Sequence, residues 1–143
     1  MNIKLFLGVV SAFILVACSG RISENDLVKL NGYWEITKVE MPDGSSKDYG
    51  INTTLDYLEI NKNKGFRKKV APQYDGTYLI NDHMESLELL QVEGVFYIQY
   101  QTEYATWKEK ILQLSDDSLT LENENKMIYY YKRQSSFDLN ESK

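Results

Sequence analysis

The chain has 143 residues, room for one domain, and its 21 acidic residues outnumber 16 basic ones to leave a formal charge of −5. An acidic protein lacks the basic footprint that phosphate backbones demand, which argues against nucleic acid as a partner. A single cysteine excludes disulfides within the chain, cysteine-cluster zinc sites and thiol pairs.

Lys4 gives a positive start, and residues 5–16 are almost wholly apolar. The run is shorter than the ~20 residues that span a bilayer but has the length of a secretory signal core. It ends in Leu15-Val16-Ala17-Cys18, which resembles the bacterial lipoprotein box: a leucine three before the cysteine and a small residue just before it. The resemblance implies that residues 1–17 are removed, that Cys18 carries a diacylglycerol on its sulfur and an acyl chain on its amine, and that the protein is held on a membrane of the bacterial cell envelope, the outer rather than the inner. Several acyl chains anchor stably where one is marginal. With Lys4 removed, the mature chain is more acidic still.

Residues 18–31 read as a lipidated tether. Ser19, Gly20, Ser23, Glu24, Asn25 and Asp26 make its start polar, while Leu27, Val28 and Leu30 suit a cap on one end of a fold. Ser23 followed by Asp26 is a loose version of a helix capping box, whose third position favours Glu or Gln, and it predicts one turn of helix.

From Gly32 the pattern becomes alternation of period two, broken by turn residues at short intervals. Strands are predicted over 32–41, 55–60, 66–71, 77–81, 86–92, 95–101, 106–114, 119–122 and 127–133. Asn61 to Gly65 reads as a hairpin with its glycine at the tight position, Asp82-His83 as a turn, and 43–53 as a long loop over one mouth. Residues 134–143 form a polar tail. Short connections favour sequential antiparallel pairing. The fold class is therefore all-β, an antiparallel up-and-down meander of about eight to nine strands, and closing it into a small barrel over 32–133 removes the exposed edges. A β-sandwich, with Gly32 as a turn glycine and Trp34 as a core aromatic, accommodates the same residues.

Gly32-Tyr33-Trp34 on the first strand resembles the Gly-x-Trp motif of lipocalins, and Tyr131-Lys132-Arg133 ends the last strand. In lipocalins an arginine near the last strand lies against that tryptophan and shuts one end of the barrel, so the resemblance assigns barrel closure to Trp34 and Arg133, with Lys132 as the alternative basic residue. The chain lacks a Thr-Asp-Tyr motif and has no room for a long helix after Arg133, which brings it nearer to compact lipocalin-like lipoproteins of bacterial envelopes.

Catalytic chemistry is not legible. His83, the only histidine, sits in a polar stretch that suits a solvated side chain, and Asp82 and Glu85 form no recognised ligand set with it. Nucleophile elbows, phosphate loops and zinc-helix motifs are missing, so the reading is a protein without enzymatic activity, metal or cofactor. Eleven tyrosines are the one enrichment. Tyrosine suits strands on its own account, and it also offers a flat face with a polar tip, so Tyr97, Tyr100, Tyr129 and Tyr131 are the candidate ligand or partner contacts. Gly65 to Lys69 is a basic patch that reads as a solvated hairpin. Two functions fit: a membrane-tethered barrel holding a small apolar or amphipathic ligand, and a filled barrel that meets another envelope protein.

Overall fold

The computed structural model describes residues 20–134, with the side chains of Asn81 and Asp82 left aside. The expected signal segment, Cys18 and all but the first residue of the expected polar tail lie outside the described residues. A short 3-10 helix, Glu24–Leu30, leads into nine strands: β1 (Gly32–Glu40), β2 (Ser46–Asp48), β3 (Leu55–Asn61), β4 (Lys64–Pro72), β5 (Tyr78–Val92), β6 (Val95–Gln101), β7 (Thr106–Leu114), β8 (Ser118–Asn123) and β9 (Ile128–Gln134). All pairings are antiparallel, each strand from β3 to β8 pairs with the next, and β1 pairs with both β3 and β9. The sheet thus closes as an eight-strand barrel with β2 attached outside the ring, and the sandwich alternative falls.

Closure depends on β1. One edge of it pairs with β9 from Tyr33↔Gln134 to Glu40↔Ile128. The other is divided: Gly32 to Trp34 pair with β3, and Lys38 to Glu40 pair with β2. Between these two partners the loop before β3 fills the seam, where Asn52 donates its side-chain amide to the Ile36 carbonyl at 2.8 Å and to Glu35 at 3.2 Å. Burial raises the Glu35 carboxyl, but bonds from Asn52, Gln134 and Lys132 outweigh it and hold the group below its ordinary value.

Three local expectations need correction. Asp82-His83 is not a turn: β5 runs unbroken through it, because the residues on both sides pair with the same strand, Met84 with Lys68 and Ile80 with Val70, and a register irregularity absorbs the segment between. The ninth strand comes instead from β2, inside the expected loop. At the β3–β4 hairpin the tight position belongs to Lys62, at φ 61°, and not to Gly65. Gly65 already lies in β4, where a Cβ would stand 1.9 Å from the Glu59 carbonyl oxygen, so the missing side chain serves close strand approach.

One end of the barrel is shut by apolar packing. Leu27 and Leu30 of the helix turn inward onto Trp34, Leu58, Leu87, Phe96, Ile98 and Leu119, while Val28 faces solvent. Asp26 starts the helix by accepting bonds from the Ser23 backbone N–H at 2.9 Å and hydroxyl at 2.8 Å, the task a Glu or Gln performs in a full capping box. The helix C-terminus leaves carbonyls without helical partners, and two side chains take them up: Trp34 Nε1 donates to the Leu30 carbonyl at 2.9 Å, and Arg133 donates to those of Lys29 and Asn31. The same guanidinium lies over the indole, its Cζ 4.2 Å from the ring centroid, and reaches the Asp116 carbonyl in the β7–β8 turn. Gly32 has φ 124°, and a Cβ there would meet Arg133 Nη1 at 2.7 Å. The glycine two before the tryptophan therefore makes room for the arginine that covers it.

This geometry predicts strong coupling between two residues on the first and last strands. Trp34→Ala is expected to cost about 3–5 kcal/mol through the cavity it leaves, and the contact of Arg133 with the indole about 0.5–2 kcal/mol. In urea unfolding of the two single variants and the double variant, Arg133→Ala should cost less in the Trp34→Ala background. Simple additivity would show that the two do not act together.

Candidate functional site

The other half of the barrel interior is not apolar. Alternation along the strands sends Asp56 of β3, Arg67 and Lys69 of β4, Glu85 of β5, Tyr100 of β6, Trp107 and Glu109 of β7, and Tyr129 and Tyr131 of β9 toward the axis, on the same faces that carry Leu58, Leu87, Ile98, Ile111 and Leu121 deeper down. Here the side chains leave a cup of about 290 Å³, walled by Ile36, Trp107, Tyr129 and Tyr131, with Arg67 and Glu109 at its base.

Arg67 organises the base. Its Nε donates to Glu85 at 2.5 Å, its Nη1 to Glu109 at 3.4 Å, and its Cζ lies 4.0 Å from the Tyr100 ring centroid. The side chain is only 14% exposed. Burial opposes its charge, but Tyr100, Glu85 and Asp56 outweigh that and hold the guanidinium above its ordinary value. Burial raises the Glu109 carboxyl, against the lowering pull of Arg67 and Tyr100. The buried Tyr100 hydroxyl interacts with Glu109 without completing a hydrogen bond of good geometry. Lys69 is paired with Asp56, its neighbour on the adjacent strand. Trp107 stacks on Tyr100 with centroids 5.5 Å apart and also lines the cup.

The sequence candidates divide on this geometry. Tyr129 and Tyr131 line the cup, and Tyr100 lies beneath Arg67 as part of its base. Tyr97 stands on the outer face, between the inward Phe96 and Ile98, with Lys108 Nζ 5.2 Å from its ring centroid, and it takes no part in the cup. Trp34 and Arg133 are together at the shut end, and Lys132 turns outward to Glu35 at 3.2 Å. Cys18 lies outside the described residues. His83 is an exposed strand residue of β5. The basic patch is not one solvated face: Arg67 and Lys69 point inward and Lys68 outward, because consecutive strand residues alternate. Sequence reading missed Arg67, Asp56, Glu85, Glu109 and Trp107. The available signal was phase, since Glu109 sits midway between Trp107 and Ile111, and Asp56 two before Leu58.

A family model described as a lipocalin-like domain matches residues 30–121, more than half of the chain. Among solved structures the chain is similar to a lipocalin-like protein from Bacteroides uniformis, at 16% identity over 74% of this chain and 99% of that one, with a TM-score of 0.48. It is also similar to lobster apocrustacyanin A1, at 13% identity over 79% of this chain and 66% of that one, with a TM-score of 0.44. No curated protein matches it.

The charges of the cup generate a pH dependence. Glu109 is raised above its ordinary 4.5 in the folded state, so between that value and its folded one the folded protein holds a proton that the unfolded chain has released. Stability therefore falls as pH rises through this window. The groups facing Glu109 are Arg67, Glu85, Asp56, Tyr100, Tyr129 and Tyr131. Urea midpoints measured over about pH 4–8 should show this slope in the native chain and lose it in Glu109→Gln. An unchanged slope in the variant assigns it to another group.

Proposed function

Because this chain belongs to the lipocalin-like domain family and its barrel is filled at one end and open at the other, we propose that it is a non-enzymatic, lipid-anchored binding protein of the bacterial cell envelope that holds one small amphipathic ligand in the cup. The observation that carries this reading is the division of the interior. The apolar half is packed by Leu30, Trp34, Ile98, Leu119 and Leu121, each at most 2% exposed, so a long apolar tail has no channel to enter. The remaining cup of about 290 Å³ is the size of a small molecule and offers ring faces beside charged groups, the mixture that orients a ligand with one apolar and one polar side.

The anchor on Cys18 fits the same scheme. Ile22 packs on the shut end, beside the β5–β6 turn at Gly94, and Cys18 precedes it by four positions. A lipid on Cys18 would therefore hold the shut end toward the membrane and the cup away from it, so that ligand arrives from the aqueous side. A second reading, docking of another envelope protein, draws support from β5, where Leu79, Ile80 and Met84 are more than half exposed.

Protein extracted in mild detergent from its own envelope and examined by native mass spectrometry should carry a small molecule that is released on unfolding. A uniformly empty chain, or one found only with a protein partner, turns the reading to docking. Cys18→Ala should abolish incorporation of labelled fatty acid and remove the protein from the membrane fraction, and labelling that persists in this variant would sink the anchor proposal.

A further inference from the structure

The charge inventory of the cup points to the ligand's sign. Asp56, Glu109, Arg67 and Lys69 line the cup, and Glu85 holds Arg67 from beside it, so the linked network sets three carboxylates against two cations. Arg67 serves two of the carboxylates, at 2.5 Å and 3.4 Å, so Glu85 and Glu109 share one positive charge between them. Lys69 is matched to Asp56 through its Oδ1. Asp56 and Glu109 are each only 5% exposed, and both line the cup. Beside them stand Trp107, Tyr129 and Tyr131. A ring presents the negative face of its quadrupole to whatever lies over it, which attracts cations and repels anions.

We propose that the ligand of this cup is an organic cation, an amine with a compact apolar body, whose ammonium lies between Glu109 and Asp56 and whose body lies against Trp107 and Tyr129. The inference rests on the cup being the binding site. The sharing of Arg67 by two carboxylates and the ring faces favour this sign over its opposite. The ammonium supplies the positive charge that Glu85 and Glu109 otherwise draw from Arg67 alone. A carboxylate ligand would have to displace Glu85 or Glu109 from Arg67, or Asp56 from Lys69, leaving a carboxylate uncompensated. A neutral ligand would gain only the ring contacts and leave the excess negative charge as it is.

Three molecules that share one ring and differ in the polar end test this: phenethylamine, phenethyl alcohol and hydrocinnamate. Each is titrated into purified protein freed of co-purified ligand, following the indole N–H resonance of Trp107 by NMR, with that of Trp34 at the shut end as the internal control. Phenethylamine is expected to bind at least about tenfold more tightly than either of the others, and Glu109→Gln to abolish that preference. Should Glu109→Gln fail to fold, Asp56→Asn serves as the second variant, with the same loss expected. If the alcohol or hydrocinnamate binds as tightly as the amine, or the preference survives in a folded variant, the charge inference is overturned while the cup stands. If none of the three moves the Trp107 resonance, the cup itself fails as a binding site and both readings fall.

Discussion

The contact on which the barrel most depends is the Arg133 guanidinium lying on Trp34. It links four parts of the chain that are distant in sequence. Its backbone belongs to β9 and its stacking partner to β1, and its N–H groups take up carbonyls of the helix end and of the β7–β8 turn. A guanidinium suits this place because its donors fan out in one plane, so a single side chain can meet several carbonyls while its flat face remains free for the indole. The carbonyls at the end of a short helix would otherwise be buried without partners, at about 1–3 kcal/mol for each. The helix can therefore pack Leu27 and Leu30 into the barrel end only because Arg133 and Trp34 receive its C-terminus.

Closing one end this way leaves the polar chemistry at the other. The eight strands of the ring enclose little more than their own side chains need, and the axis of the apolar half is filled by Leu30, Trp34, Ile98, Leu119 and Leu121. In the open half, Arg67 stands where an apolar side chain would complete the packing. A buried cation is tolerated only with counter-charges close by, and Glu85, Glu109 and the Tyr100 ring supply them. The network keeps the open half from collapsing into a second apolar plug. In the proposed binding role it would make that half selective, because whatever entered would have to satisfy charges already committed to one another.

The sequence was informative where local rules have one outcome. Strand after strand could be placed because alternation and turn residues do not depend on the neighbours: the β5–β6 hairpin, for example, turns at Glu93 and Gly94, with φ 53° and 79°, values that a two-residue turn between twisted strands requires. It misled where local signals were overridden by pairing. Asp82-His83 has turn chemistry, but β4 offers a continuous edge and β5 follows it. Gly65 reads as a turn glycine, but the carbonyl of Glu59 is what forbids a side chain there.

By itself the sequence determined the class of the fold, the position of its strands, and the residue types available for closing one end, because period-two patterning, turn residues and the Gly32-Tyr33-Trp34 stretch are all local properties of the chain. Only the tertiary structure decided which face of each strand looks inward at which height, and so which charges meet. Arg67 and Glu109 are 42 positions apart, and nothing near either residue marks it as the other's partner. That pairing depends on the register of four strands and on the stagger imposed by closing the barrel, which is a property of the whole sheet and of no segment within it.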